Sequence, residues 1–360
     1  MEILVLTEVK PEVRAGNYVF YNLPLQLTQW AHVTMFFPDY HWLQHTDIYK
    51  PFGVTGKDTL GDALASCDFV LWMGSPPGAA WWSGVYQAYP QIRAGGKKVI
   101  YYALDYWEAW IEEGNRKPQK WMDVEAGEKE VVSMAEKVFA VSPQLCSYLV
   151  QKYGLEKVYW LPNASRDFPP ASGSRKEQIV VISSSFYSLR EPERVISLAK
   201  AYPDWIFVWA GTESTPRRPS LRGFTYPPNF IFPGEVGNLE FMDLAARASL
   251  GLVPAGGNWF SYFADPTKWY YYHMLRLPIV SVNTPHHWQF PGFYPYTWAG
   301  VDLFEVFRNA LNGLDKVEVN PCNFHTWEHR ASAFLAALLE DRAIYGYADS
   351  KGFHFTFRGE

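Results

Sequence analysis

The stretch "ADPTKWYYYHMLRLPIVSV", residues 264–282, contains a lysine at the start of a predicted helix. Asp265 and Pro266 are typical of such a start, with Asp265 as the N-cap and Pro266 at the first helical position. Lysine is more common near helix C-termini, because the helix macrodipole disfavours a cation at the N-terminus. Lys268 at this end makes more sense if an anion lies between its ammonium group and the backbone amides. We therefore predict that Lys268, with Thr267 beside it, binds phosphate groups.

A second candidate for chemistry is Asp105, which lies in "YYALDYWEAW" directly after an apolar strand and ahead of a helical pattern. A carboxylate in this position could act as a general base that takes the proton from an incoming hydroxyl group. It could equally be the N-cap of the following helix. Position alone leaves these two interpretations even, and Glu108 is a poorer second candidate for the base.

Further phosphate ligands are predicted after the apolar run of "IVVISSS". Ser183, Ser184 and Ser185 offer hydroxyl groups and backbone donors. Arg190 offers a forked cation, although it could instead form a surface ion pair with a neighbouring glutamate. The sequence has no Asp-X-Asp pair and no convincing cluster of metal ligands. Lys268, Arg190 and backbone dipoles would therefore have to neutralise a leaving phosphate, without a metal.

Composition limits the class of protein. The chain has 360 residues, of which 48% are hydrophobic and 18% aromatic, and its net charge is −5. This length exceeds what a single core usually supports, so two domains are expected. The acidic balance argues against a globally basic nucleic-acid binder. Three scattered cysteines, Cys67, Cys146 and Cys322, match neither a disulfide framework nor a zinc pattern, and they favour the reducing cytoplasm.

No membrane span or signal peptide is predicted. The N-terminal "MEILVLTEV" is too short for a signal peptide. Two stretches without charged residues, 69–92 and 277–301, are interrupted by prolines and polar residues. Peripheral contact with a membrane through Trp81 and Trp82 stays open. The same aromatic segment could instead dock an acceptor molecule.

Short apolar runs alternate with helical patterns along most of the chain, which predicts an α/β fold with parallel sheets. Segment 166–178, rich in Pro, Ser and charge, is predicted to be a linker between an N-terminal domain, 1–165, and a second domain, 179–322. Segment 323–360 is predicted to hold a helix that packs back toward the N-terminal domain, then a terminal strand or hairpin. Ligands bind at the carboxyl ends of parallel strands, so two facing domains would form a deep cleft that favours anions.

The order of several motifs resembles that of nucleotide-sugar glycosyltransferases of the two-Rossmann-domain (GT-B) type. These motifs are "VFAVSPQLCSYLVQKYG", "IVVISSS", "PDWIFVWAG", "PNFIFPGEV", "LGLVPAG" and "DPTKWYYYHMLRLPIVSV". The likeness spans roughly residues 1–340 and is most specific between residues 98 and 282. Within that group, "KKVIYYALDYWEAW" and the lysine-bearing helix look closest to bacterial exopolysaccharide transferases such as the xanthan glucuronosyltransferase.

The resemblance implies roles on the donor side, in the second domain. Lys268 would hold the donor diphosphate, and Tyr271, one turn later on the same helix face, would approach the ribose or the sugar. The loop from Gly234 to Val236, with Glu235 at its centre, would contact the nucleobase through backbone groups. A UDP-sugar is the expected donor, with no metal and no further cofactor.

On the acceptor side, the resemblance assigns Asp105 as the base that activates the acceptor hydroxyl, and it places Gly16 and Asn17 on the other wall of the cleft. The sequence departs from the family pattern at three places. Many relatives have an acidic or amide residue where Tyr271 stands, and usually a glycine where Arg276 stands. The usual glycine pair after the first strand is reduced to Gly16 followed by Asn17.

These features predict metal-independent transfer of a sugar from a nucleotide diphosphate-sugar to a hydroxyl acceptor by a monomeric protein. The acceptor could be a glycan, a lipid-linked sugar or a modified DNA base. Two alternatives stay open. One is a catalytically inactive scaffold that binds nucleotide-sugars, and the other is an epimerase or phosphorylase of the same architecture.

Overall fold

A computed structural model of the chain describes most of its residues. These are residues 1–7, 18–37, 50–74, 85–106, 124–165, 177–184, 192–211, 225–254, 262–282, 290, 292–296, 302–314, 316, 319 and 325–356. They form two compact units. The first unit contains Met1–Asn163, Phe263–Asp265 and Trp327–Glu360, and the second contains Ala164–Tyr262 and Pro266–Thr326. Most of the predicted linker, 166–176, lies outside the described residues.

The strands of the described residues are numbered along the chain. They are β1 Glu2–Thr7, β2 His32–Phe36, β3 Gly53–Thr55, β4 Phe69–Met73, β5 Lys98–Ala103, β6 Ala135–Ala140, β7 Val158–Trp160, β8 Ile179–Ser183, β9 Ile206–Ala210, β10 Phe230–Gly234, β11 Leu250–Val253, β12 Ile279–Val282, β13 Phe293–Tyr296, β14 Gly346–Asp349 and β15 Gly352–Phe355.

The helices are numbered in the same way. They are α1 Tyr18–Leu27, α2 Leu60–Ser66, α3 Val85–Gly95, α4 Val124–Met134, α5 Pro143–Tyr153, α6 Pro192–Ala201, α7 Asn238–Arg247, α8 Thr267–Met274, α9 Leu303–Gly313 and α10 Trp327–Glu340. A single 3₁₀ turn, Lys57–Thr59, precedes α2.

The sheet of the first unit has nine strands within the described residues, in the order β15-β14-β7-β6-β5-β4-β1-β2-β3. The strands from β3 to β7 pair in parallel. The terminal hairpin of β14 and β15 extends this sheet antiparallel to β7. Every residue of β4 is buried, as expected for a central parallel strand covered on both faces.

The sheet of the second unit has the order β10-β9-β8-β11-β12-β13 in the part of the chain that is described. All of its pairings are parallel. Alternate residues of β8 enter different cores: Val180 and Ile182 pack with residues of α6 and α9, whereas Ile179 and Val181 pack with residues of α7 and α8. Helices therefore cover both faces of the sheet. The predicted α/β fold with two sheets of parallel strands is confirmed.

Helix α5 shows how local sequence sets an element. Ser142 is its N-cap, and its hydroxyl accepts the backbone N–H of Leu145 at 3.2 Å. Pro143 occupies the first helical position, and Gly154 ends the helix in the left-handed region at φ 64°. The local sequence is sufficient to start this helix, because the capping residue and the proline act locally.

The structure describes two of the three cysteines from which a reducing compartment is predicted. Cys67 and Cys146 are buried free thiols, and burial raises the pKa of both. Cys322 lies outside the described residues. None of the described helices combines the length and the apolar character that crossing a lipid bilayer requires.

Candidate functional site

Helix α8 is built around buried aromatic residues. Trp269, Tyr270 and Tyr272 are fully buried in the core on one face of the second sheet. The indole N–H of Trp269 donates to Ser281 Oγ on β12 at 3.0 Å. Aromatic rings bury a large area while their polar ends find partners, so tertiary packing holds this segment as a helix despite its modest helix propensity.

The start of α8 differs from the predicted one. Its N-cap is Pro266, which has no side chain to accept a hydrogen bond from the first turn. The carboxylate of Asp265 instead accepts the backbone N–H of Asn163, 102 residues earlier in the chain, at 2.5 Å. The predicted N-cap role of Asp265 is therefore wrong, because the helix begins one residue later, with Pro266 as its N-cap.

Lys268 lies in this first turn, which contains no acidic residue. Lys268 and Thr267 are half-buried. A cation thus stands next to backbone amides that the N-cap residue leaves without a side-chain acceptor, and such an arrangement favours an anionic ligand. Tyr271 follows on the same helix face and is 3% exposed.

The carboxyl end of β8 brings buried serines toward the same edge of the sheet. The backbone N–H of Ser183 donates to Tyr272 Oη at 3.0 Å. The backbone N–H of Ser184 donates to the carbonyl of Ala210 at 3.0 Å, and its carbonyl accepts the indole N–H of Trp209 at 2.8 Å. The predicted backbone donors of both serines are therefore engaged inside the protein. The side-chain hydroxyl of Ser184 remains the candidate ligand.

The loop predicted to contact a nucleobase begins at the end of β10, an edge strand. Gly234 has φ 81°, a conformation that glycine adopts without a steric penalty. Its carbonyl accepts the backbone N–H of Gly211 at 2.8 Å, which fixes the loop next to the end of β9. Glu235 follows and is exposed. The loop thus presents its backbone at the carboxyl edge of the second sheet.

In the first unit, Asp105 lies two residues beyond the end of β5 and is half-buried. Strand β5 runs between β4 and β6. The backbone N–H of Gly74 donates to the carbonyl of Tyr102 at 3.1 Å, and that of Val141 donates to the carbonyl of Ala103 at 3.2 Å. Three strand ends are thereby tied together next to the carboxylate. Asp105 thus lies at the edge where parallel sheets bind ligands.

Aromatic packing anchors the residue after Asp105. The ring of Tyr106 lies 4.7 Å from that of Tyr148 and 4.4 Å from that of Phe263, between centroids. The carbonyl of Phe263 also accepts the hydroxyl of Ser142 at 2.7 Å. The backbone that carries Asp105 is therefore fixed on its carboxyl side. The helix that Asp105 could cap would fall in 107–123, which the structure does not describe.

Several predicted site residues lie outside the described residues, so their roles stay predictions. They are Gly16, Asn17, Trp81, Trp82, Glu108, Ser185 and Arg190. Among the residues that are described, no group of three or more His, Cys, Asp or Glu side chains is arranged to hold a metal ion.

The sequence matches no protein-family model and no curated protein. Solved structures do match its fold. Sucrose-phosphate synthase (tll1590) from Thermosynechococcus elongatus is 14% identical, with a TM-score of 0.68 over 95% of this chain and 98% of that one. Anabaena Alr3699/HepE, solved with UDP-glucose, is 13% identical, with a TM-score of 0.59 over 93% of this chain and 94% of that one.

A third match is UDP-GlcNAc 2-epimerase from Neisseria meningitidis, solved with UDP-GlcNAc. It is 14% identical, with a TM-score of 0.54 over 94% of this chain and 100% of that one. Identities this low show the fold alone. The chain has the two-Rossmann-domain architecture that these transferases and epimerases share.

Proposed function

We propose that this protein is a glycosyltransferase that transfers a sugar from a nucleotide diphosphate-sugar, with UDP as the expected nucleotide, to a hydroxyl group. The observation that carries the proposal is Lys268 in the first turn of α8, where the N-cap residue Pro266 offers the backbone amides no side-chain acceptor. The fold supports it, because HepE shares the fold and has been solved with UDP-glucose, with UDP and glucose, and with UDP.

On the donor side, Lys268 and Thr267 would contact the diphosphate, and the loop from Gly234 through Glu235 would meet the base through its backbone. The hydroxyl of Ser184 and, outside the described residues, Arg190 and Ser185 are further phosphate ligands in this proposal. The positive charge of Lys268 and Arg190 would stabilise the leaving diphosphate, which is the task a metal performs in other transferases. Transfer would therefore proceed without a metal ion.

On the acceptor side, Asp105 would act as the general base. Its carboxylate would take the proton of the acceptor hydroxyl while that oxygen attacks the anomeric carbon and the nucleotide diphosphate leaves. A single displacement of this kind inverts the anomeric configuration. The position of Asp105 at the carboxyl edge of the first sheet supports this role.

The acceptor and the setting of the reaction belong to the same proposal. We expect a glycan end, a lipid-linked sugar or a modified DNA base as the acceptor, bound by a monomer. The buried free thiols of Cys67 and Cys146 suit the reducing cytoplasm. A membrane-linked acceptor would require peripheral contact, for which Trp81 and Trp82 are the candidates.

The test begins with a thermal-shift panel of uridine, guanosine, adenosine and thymidine diphosphates and their sugars. We expect stabilisation by UDP and by one UDP-sugar, which is then titrated calorimetrically. Lys268→Ala should weaken UDP binding by roughly 10- to 100-fold, because a charge-assisted contact to phosphate is lost. Lys200→Ala, at an exposed lysine in the last turn of α6, is the matched control and should leave UDP affinity unchanged. Equal UDP affinity in wild type and Lys268→Ala would reject the donor-site assignment.

An epimerase is the second candidate, because the epimerase from Neisseria meningitidis shares the fold. The two activities separate in one assay. A transferase releases free UDP in step with glycosylation of an added acceptor, whereas an epimerase changes the sugar of the donor without any acceptor. A scaffold would bind the UDP-sugar and do neither.

A further inference from the structure

We propose that Tyr272 is a positioning residue for the donor diphosphate, which holds α8 at the level where Lys268 and Ser184 contact the same diphosphate. This inference rests on the proposed function, because it needs Lys268 and Ser184 to bind the diphosphate. The family resemblance gives Tyr272 no role. All of the residues that carry the inference belong to the second unit.

The phenol of Tyr272 reaches from α8 to the end of β8. Its hydroxyl donates to the carbonyl of Val181 at 3.2 Å and accepts the backbone N–H of Ser183 at 3.0 Å. Tyr272 is 0% exposed and Ser183 is 8% exposed. The hydroxyl therefore holds two backbone groups of one strand in a buried environment, and it fixes the helix to that strand at a single point.

The ring of Tyr272 crosses β11 at Gly251. A Cβ at this position would lie 2.6 Å from Cγ of the ring, so the ring rests directly on the glycine. Gly251 pairs with Val181 of β8, which is the residue whose carbonyl the phenol reaches. If α8 slid along the sheet, the ring would leave Gly251 and move toward Val253, whose side chain is buried in the same core. Glycine and the two hydrogen bonds thus define one position of the helix along the strands.

This position puts Lys268 level with the end of β8. Helix α8 lies between the parallel strands β11 and β12 in the chain, so it runs against them and its first turn lies toward their carboxyl ends. Lys268 is one turn before Tyr272 on the same helix face. Four helical residues rise about 6 Å, and two strand residues rise about 6.6 Å. Because Tyr272 contacts β8 on either side of Ile182, Lys268 is level with Ser184, two residues further along.

Ser184 is itself held to β9. Its backbone N–H donates to the carbonyl of Ala210 at 3.0 Å, and its carbonyl accepts the indole N–H of Trp209 at 2.8 Å. The sheet therefore fixes Ser184, and Tyr272 fixes the lysine-bearing helix against it. Ligands on separate elements bind one group tightly only when both are held in place to within about 0.5 Å. Loss of the phenol hydroxyl should release this alignment while the helix remains packed.

A double-mutant cycle tests whether Tyr272 acts by aligning the two ligands. UDP is titrated calorimetrically into the full-length wild type, Tyr272→Phe, Ser184→Ala and the double variant. We expect Tyr272→Phe to weaken UDP binding by about fivefold in the wild type. In the Ser184→Ala background it should cause no further loss, because the second ligand is already absent. Loss by the same factor in both backgrounds would show a merely structural role and overturn the inference.

Gly251→Ala displaces the ring and keeps the hydroxyl, so it tests the same alignment by a different change. It should weaken UDP binding as Tyr272→Phe does, again without further loss in the Ser184→Ala background. It also serves if Tyr272→Phe does not fold.

Ser281→Ala is the matched control, because it removes another buried hydrogen bond of the same helix. Ser281 Oγ accepts the indole N–H of Trp269 at 3.0 Å and ties α8 to β12 rather than to β8. We expect Ser281→Ala to leave UDP affinity unchanged. If it weakens UDP binding as much as Tyr272→Phe does, general destabilisation of α8 explains the loss, and the positioning role of Tyr272 is rejected.

Failure of this inference is distinct from failure of the proposed function. If the wild type binds no nucleotide diphosphate, both are rejected. If Lys268→Ala weakens UDP binding but Ser184→Ala does not, Ser184 is not a ligand and only the inference is rejected. The same holds if Lys268→Ala weakens UDP binding while Tyr272→Phe and Gly251→Ala bind UDP as the wild type does.

Discussion

The hydroxyl of Tyr272 on α8 accepts the backbone N–H of Ser183 at 3.0 Å and donates to the carbonyl of Val181 at 3.2 Å. Both partners belong to the end of β8. One phenol therefore joins α8, which carries Lys268, to the strand end that precedes Ser184. Burial raises the pKa of this phenol far above its ordinary value. The group is therefore neutral at physiological pH and able to donate and accept at once.

Tyr272→Phe should destabilise the second unit. The ring stays, but the N–H of Ser183 loses its acceptor in a fully buried environment, which costs about 1–3 kcal/mol. Urea unfolding at pH 7.5 measures the change in the free energy of unfolding. Tyr347→Phe, whose half-buried ring stacks on His354 at 4.8 Å between centroids, is the control, and its unfolding free energy should stay within about 0.5 kcal/mol of wild type. An unchanged value for Tyr272→Phe would contradict the role given to this bond.

Gly251 on β11 leaves room for the same ring. A Cβ at this position would lie 2.6 Å from Cγ of Tyr272, closer than packed atoms approach. Gly251→Ala should therefore lower the free energy of unfolding by about 1–3 kcal/mol through overpacking. Gly61→Ala on α2 is the opposite case, since nothing lies within 4 Å of its added Cβ, and it should be neutral or stabilising by up to about 1 kcal/mol. Equal effects at the two positions would refute this account of Gly251.

Arg276 ends α8 in a conformation that suits glycine. Its φ is 60°, its N–H donates to the carbonyl of His273 at 2.9 Å, and the N–H of Leu277 donates to that of Tyr272 at 2.8 Å. This pair of bonds is the Schellman motif, in which glycine usually occupies the left-handed position. The structure thus explains physically why glycine suits the position where this chain has arginine.

Arg276→Gly should raise the free energy of unfolding by about 0.5–1 kcal/mol, since it removes the left-handed strain of a residue with a Cβ. Arg276→Ala keeps the Cβ and should give no such gain. Thermal and urea unfolding of the two variants distinguish relief of strain from loss of the arginine charge. Stabilisation of both variants by the same amount would point to charge as the cause.

The short apolar runs of the sequence predict most strands correctly, because a strand that is buried on both faces of a parallel sheet requires apolar residues along its whole length. β1 and β8 are examples. We do not predict β3, which has three residues, or β13, which contains Pro295. Such edge strands depend on the neighbour that they pair with more than on their own pattern. We also do not predict α9. Leu303, Phe307 and Ala310 have helical spacing and are buried, so the hydrophobic pattern of this segment is sufficient to predict the helix.

The candidate site was less accessible to prediction, because distant partners decide it. The local capping pattern favours Asp265 as an N-cap, but the donor that takes its carboxylate is on Asn163, 102 residues away. The backbone donors of Ser183 and Ser184 are likewise taken by groups from α8 and β9. Position directly after a strand predicts Asp105 as a site residue, since parallel sheets bring their carboxyl ends to one edge. Lys268 is predicted instead from its place at the start of a helix.

Asp105→Asn should separate donor binding from catalysis. The amide keeps the shape of the side chain but cannot take a proton, so we expect turnover to fall by about 10²- to 10⁴-fold while UDP affinity stays unchanged. Acceptor-dependent UDP release measures turnover, and calorimetry measures affinity. Asp204→Asn, at an exposed aspartate of the second unit, is the control and should retain full turnover. Full turnover of Asp105→Asn would remove Asp105 as the base.

His273 on α8 should make stability depend on pH. It is 1% exposed, and its ring lies 5.0 Å from that of His325 and 5.7 Å from that of Phe290, between centroids. Burial lowers its pKa from 6.5 to about 4. Between those values the unfolded chain binds a proton that the folded chain does not, so stability falls as the pH drops from 6.5 to about 4. The loss approaches about 3 kcal/mol once the pH is below both pKa values.

The difference between wild type and His273→Leu isolates this group from the carboxylates that also titrate in acid. Leucine has a similar volume and no titratable nitrogen, so the variant lacks the unfolded-state proton uptake at position 273. We expect the free energy of unfolding of wild type, relative to His273→Leu, to decline steadily as urea unfolding is repeated from pH 7.5 down to pH 4. A difference that stays constant over that range would mean that the imidazole of His273 titrates alike in the folded and unfolded chains, and that its burial carries no pH dependence.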